Sequence, residues 1–203
     1  MTDFALKLQF SKADTASLNQ RGYLVAIIKG VAANVNQARL WVTFAPFEQN
    51  FVTWNSTCGL FGSPDPVSIN AAITAYSSEF PATPGMVYPF QYNTFGTAES
   101  SGPANSYSIQ NADGRRITFG MLQSVTANGS TYNAQPTSVI AVETNMTLQL
   151  EATDIVSVFM FQTTQNDSVV VTNETAALEI DMRNNPQQTI HFDGTQFVVG
   201  VLP

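Results

Sequence analysis

Charge is scarce in this chain: Asp, Glu, Lys and Arg make up 11% of its 203 residues, against roughly 25% in ordinary soluble proteins. The surface must therefore be made of Asn, Gln, Ser and Thr with apolar residues among them, and it has little electrostatic defence against self-association. Positive charge is scarcer still. Eight Lys and Arg against fifteen Asp and Glu leave a net charge of −7. No basic arm or stripe appears, which argues against phosphate-backbone contact and against nucleic acid as a partner.

Cysteine and histidine occur once each, as Cys58 and His191. One cysteine excludes an intrachain disulfide and fits a reducing compartment. One of each excludes the usual Cys/His zinc site unless two carboxylates complete it. No nucleophile elbow surrounds Ser56 or Cys58, and no glycine-rich phosphate loop is present, so the expected protein is not an enzyme. Cys58, beside Gly59 and Leu60, reads as a small buried apolar residue. No apolar run approaches the ~20 residues of a spanning helix. Residues 1–8 alternate like a strand and lack the basic start and apolar core of a signal peptide. The expectation is a cytoplasmic protein, or a secreted one if a leader has been removed.

What the chain does have is period-two patterning. From Met146 to Phe192 short segments alternate apolar and polar residues or run continuously apolar, each cut off by Thr, Asn, Asp or Pro, which is the signature of antiparallel strands. Leu178, Ile180 and Met182 share one face of a strand, and Glu179 and Asp181 share the other. Ile190 and Phe192 face inward on the next. Ile155–Phe161 is apolar at nearly every position and suits a strand covered on both faces. Upstream, Phe4, Leu6, Leu8 and Phe10 alternate inward, a polar connection follows over 14–21, and Gly22–Gly30 reads as a largely buried strand. Leu40, Val42 and Phe44 are placed on one face and Arg39, Trp41 and Thr43 on the other. Asn34 and Asn36 mark a turn, 69–78 reads as a strand, and 79–89 as an extended loop or edge. Residues 94–104 read as the least ordered segment, and Asp113-Gly114 as a hairpin turn between strands over 107–110 and 115–123. About a dozen strands at this cadence predict an all-β protein, an antiparallel, jelly-roll-like β-sandwich forming one domain over 1–203.

Two constellations carry candidate chemistry. If 177–182 and 189–193 form a hairpin, matching their apolar faces sets Asp181 opposite His191 and Glu179 opposite Asp193. Carboxylates facing each other repel, so Glu179, Asp181, His191 and Asp193 form a candidate cation site, for which oxygen-rich ligands favour Ca2+; otherwise the face is solvated and no cofactor is expected. The second constellation is aromatic. Tyr88, Phe90 and Tyr92 alternate along a Pro-broken, charge-free segment with Phe95 and Tyr107 nearby. If exposed, these rings and Trp54 would stack on sugars; if buried, they are core. Together these features predict a non-enzymatic recognition module that binds glycans. A self-assembling coat, filament or storage subunit is the alternative, and a membrane-active β-sandwich comes third.

Overall fold

The computed structural model describes residues 2–31, 38–68, 73–162, 170–171 and 177–203. The turn expected at Asn34 and Asn36, and the first part of the strand expected over 69–78, lie outside the described residues. In chain order the elements begin with β1 (Asp3–Gln9), α1 (Lys12–Gln20), β2 (Tyr23–Val31), β3 (Ala38–Phe44), β4 (Gln49–Asn55) and β5 (Gly59–Ser63). They continue with β6 (Ser77–Glu79), β7 (Val87–Gln91), β8 (Thr94–Phe95), β9 (Tyr107–Asn111), β10 (Ile117–Ala127), β11 (Ser130–Pro136) and β12 (Ile140–Val142). The last are β13 (Thr147–Leu150), β14 (Ala152–Gln162), β15 (Val170–Val171), β16 (Leu178–Asp181), β17 (Gln187–Phe192) and β18 (Phe197–Val199). The protein is thus mostly β, with one helix among the described residues.

The helix stands where a polar connection was expected. Ser11 caps it: its Oγ accepts from the Asp14 N–H at 3.0 Å and donates to Asp14 Oδ2 at 2.6 Å. Gly22, at φ +71, ends it in the left-handed conformation glycine tolerates. Leu18 is the residue the helix buries.

Three sheets follow. The largest runs β18-β17-β1-β4-β10-β5-β6, with β11 and β12 also on β10; the second runs β13-β9-β7-β8 and the third β15-β3-β2-β14-β16. The sheets are not wholly antiparallel as expected, because β1 pairs with β17, and β7 with β9, in parallel. Residues 107–111 and 117–127 do not form the expected hairpin. Asn111 is fully buried, and its Nδ2 donates to Arg115 O and Val142 O, both at 2.9 Å, while its Oδ1 accepts from the Asp113 N–H. These bonds turn a corner, so β9 stays in the second sheet and β10 enters the first. Residues 94–104 are also better held than expected: Val87 and Glu99 exchange backbone hydrogen bonds of 2.8 and 2.9 Å, and the Gly96 N–H donates to Pro89 O.

Strand β10 is the spine of the large sheet. Its first half pairs with β5 on one edge and β12 on the other; its second half pairs with β4 and β11 on the same respective edges. Its side chains therefore feed two cores. Ile117, Phe119 and Met121 join Leu60, Tyr88, Phe90 and Ile109 in one cluster. Val125 and Ala127 join Phe4, Leu6, Leu8, Val52, Trp54 and Ile190 in another, which also takes Val25, Ile27, Val156, Val158 and Ile180 from the third sheet. The inward sets of β1, β16 and β17 are those the alternation predicted. Strand β14 is likewise apolar on both faces, since Val156 and Val158 enter that cluster and Phe159 enters a separate one with Ala26, Ile28 and Leu40.

Candidate functional site

Two features stand on opposite faces of the same strands, β1 and β4. The inner one is built around Lys29. On β2, Val25 and Ile27 face the large core, and alternation sends Lys29 the same way. Both neighbours of β2 break register beside it. On β3, Ile27 pairs with Val42 and Ile28 with Leu40, so Trp41 is an extra residue. That bulge turns Trp41 into the same cluster as Val42, correcting the expectation that the two point to opposite faces. On β14, Val31 pairs with Ala152 and Lys29 with Val156, so Thr153, Asp154 and Ile155 stand opposite Gly30 alone. Thr153 Oγ1 donates to Gly30 O at 2.6 Å and the Met182 N–H to Asp154 O at 2.8 Å, which pins this second bulge.

The result is an enclosed amine. Lys29 is 3% exposed, and its Nζ lies 5.7 Å from the Phe4 ring centroid, 5.5 Å from Trp41 and 5.6 Å from Trp54, all within cation–π range. Asp154 Oδ1 is 3.7 Å from Nζ, an ion pair beyond hydrogen-bonding reach, so Nζ has no hydrogen bond among the described residues. Trp54 Nε1 and Gln123 Oε1 share that condition. Burial lowers the Lys29 pKa, opposed by the charges of Cys58 and Asp154. Burial likewise raises the Cys58 thiol and pushes Tyr107 up to about 12, with Cys58 and Tyr88 adding to the shift.

The outer feature is an open cleft of about 430 Å³ on the far face of β1, β4 and β10. Its floor is a cross-strand row set by register: Gln187 opposite Ala5, Ala5 opposite Thr53, Thr53 opposite Thr126, and Thr126 opposite Thr131. The two hydroxyls of Thr126 and Thr131 are 3.0 Å apart. Asp3, paired with Asn55, and Ser124 complete the polar wall. Small Ala5 among larger neighbours makes the depression. One row along, Lys7 pairs with Phe51, which is 53% exposed, and the Lys7 Nζ lies 5.7 Å from its ring. The cleft itself offers hydroxyls and amides beside the Asp3 carboxylate, and the half-exposed Phe51 ring with the Lys7 ammonium over it stands next to the cleft, outside its lining.

The residues singled out from the sequence lie elsewhere. Glu179 and Asp181 are on β16, paired with β14 in the third sheet, whereas His191 is on β17, between β1 and β18 in the first. The expected hairpin does not form, because β17 takes β1 as its partner, so Glu179 does not face Asp193. Asp181 is gripped by Arg183, whose Nε donates to both carboxylate oxygens at 2.9 and 3.0 Å and holds its pKa at about 2. Asp193 Oδ1 accepts from the Thr195 N–H, Thr195 Oγ1 and the Gln196 N–H and shapes its own turn. The His191 Nδ1 lies 3.2 Å from Gly200 O. Among the described residues no group of three or more His, Cys, Asp or Glu could hold a metal ion, and no helix is long and apolar enough to cross a membrane.

The aromatic stripe is core. Tyr88, Phe90, Tyr107 and Trp54 are buried, and the Tyr88 hydroxyl is engaged by the Thr83 backbone. Phe95 packs edge-on against Phe90, with centroids 5.0 Å apart. Tyr92 alone of these is well exposed, at 83%, on the tight β7–β8 turn where it and Asn93 have positive φ. Lys29 was not singled out, although a lone charge inside the run Gly22–Gly30 was the signal. Thr53, Thr126 and Gln187 were missed because alternating Thr on an outer face looks like any solvated strand. Comparison with protein-family models, with curated proteins and with solved structures returned no match.

Proposed function

We propose that the protein is a non-enzymatic recognition module that binds a neutral glycan in the cleft over β1, β4 and β10. The observation that carries this reading is the floor of that cleft. A row of hydroxyl and amide side chains on paired strands, next to the half-exposed Phe51 ring that the Lys7 ammonium also approaches, suits a ligand with many hydroxyls and apolar ring faces. Side chains fixed on strands are held more precisely than those on loops. The fold is read as a β-sandwich, since one cluster takes side chains from both the first and third sheets, and as a single folding unit, since β10 serves both cores.

A glycan array followed by calorimetric titration tests the reading. Binding that Thr53→Ala and Asn55→Ala weaken about tenfold, with or without calcium, supports it. An array without a hit overturns it.

A second reading, self-assembly, is favoured by Phe47, Tyr76, Tyr92 and Met146, each more than half exposed on a charge-poor surface. Size-exclusion chromatography separates the two: large ordered particles favour assembly, and a sharp monomer removes it.

A further inference from the structure

We propose that Lys29 and Asp154 condense into an intramolecular amide, a covalent cross-link between β2 and β14 beneath the floor of the cleft. The inference is independent of any ligand and rests on geometry. The two groups lie on neighbouring strands with Nζ 3.7 Å from Oδ1. A three-residue bulge opposite Gly30 accompanies Asp154 and two backbone-anchored bonds fix that bulge, so the carboxyl is delivered to the amine by the fold. Bulges that re-aim one side chain are conspicuous where pairing alone would not need them. Among the described residues the Nζ makes no hydrogen bond, and it is enclosed by Phe4, Trp41 and Trp54. The buried Lys29 ammonium is poorly repaid for its desolvation by a partly exposed carboxylate 3.7 Å away, and an uncharged amide removes that cost.

The step balances without any added reactant. The ion pair first exchanges a proton, giving a neutral amine and a carboxylic acid; burial works against the charged Lys29, and its attraction to Asp154 works the other way. The Nζ lone pair attacks Cγ and forms the C–N bond. The tetrahedral adduct then breaks its C–OH bond, and the departing hydroxyl takes a proton from nitrogen and leaves as water. An ammonium and a carboxylate thus become an amide and one water, with no change of oxidation state. Asp154 is 32% exposed, so solvent at its outer edge relays the protons and receives the product water. Amide formation is unfavourable for free groups in dilute water. Holding the amine and the carboxyl side by side on neighbouring strands, with Nζ 3.7 Å from Oδ1, raises their effective concentration and works against that cost.

Intact mass under denaturing conditions decides the matter. Purified wild-type protein, allowed to fold and then unfolded in urea, is expected to weigh one water less than its sequence. Digestion is expected to yield a branched peptide joining the segment around Lys29 to that around Asp154. Asp154→Ala and Lys29→Met should each return the full calculated mass. Folded wild type at full mass overturns the proposal, and so does a water loss that persists in Asp154→Ala.

Discussion

The two halves of β10 share one strand and one sheet yet live in different surroundings. From Ile117 to Gln123 every side chain is buried, whereas from Ser124 to Ala127 burial alternates. In the first half, Phe119 faces the cluster of Phe90 and Ile109, while Leu122 on the reverse face meets Phe61, Ile73 and Val139. In the second half only Val125 and Ala127 enter a core, and Ser124 and Thr126 line the cleft. The difference shows where this sheet can afford a binding face: only where its reverse is left uncovered does register lay out a row of hydroxyls that a ligand can reach.

The sharpest way to break the comparison is to empty the covered half. Phe119→Ala removes a fully buried ring that meets Phe90 edge-on at 5.0 Å, and should cost about 4 kcal/mol in urea unfolding. Gly120→Ala asks the opposite question, because a Cβ there would collide with the backbone oxygen of Ser138 and the Phe61 ring. It should cost about 3 kcal/mol by overpacking, read in the same assay. Asn111→Ala, at the corner that delivers β10 to its sheet, strands the buried carbonyl of Val142 and the part-buried one of Arg115 and should cost about 2 kcal/mol.

Tyr107, in the same covered region, supplies a test by pH. Its pKa is raised from 10 to about 12 by burial and by Cys58 and Tyr88, so the folded state holds a proton that the unfolded state releases. The stability it contributes is complete below pH 10 and is lost as pH rises through 12. Tyr107→Phe should flatten that alkaline decline, followed by thermal melts at stepped pH. The smallest effect belongs to the open half. Thr126→Val should change stability by less than ~0.5 kcal/mol while weakening any glycan titration, and an equal loss of stability to that of Phe119→Ala would erase the contrast.

Most of this division was written in local patterning. Ile117-Thr118-Phe119-Gly120-Met121-Leu122 has few polar interruptions, as a doubly covered strand should, and the inward sets of β1, β16 and β17 followed from alternation. Pairing partners were not legible. Nothing in Leu178–Asp181 or Gln187–Phe192 says that one joins β14 and the other β1, because an apolar face fixes parity but leaves the neighbour open. The bulges were hidden for the same reason: Trp41 and Asp154 are redirected by what their partners do. The helix could have been read, since Ser11 and Asp14 stand at capping positions and Gly22 at the end. The cleft could not, since register across five strands assembles it.

The pairing of β1 with β17 carries a consequence for synthesis. Leu8 lies beside Ile190, and the Leu202 N–H donates to Gln9 Oε1 across 193 residues. On the ribosome, β1 can join β4 early, but its other edge lacks its partner until β17 has emerged. Until then the nascent chain presents an open strand edge, a template for pairing with a neighbouring chain. Slow elongation between β4 and β17 would prolong that exposure, and a holding chaperone would be needed most at that stage.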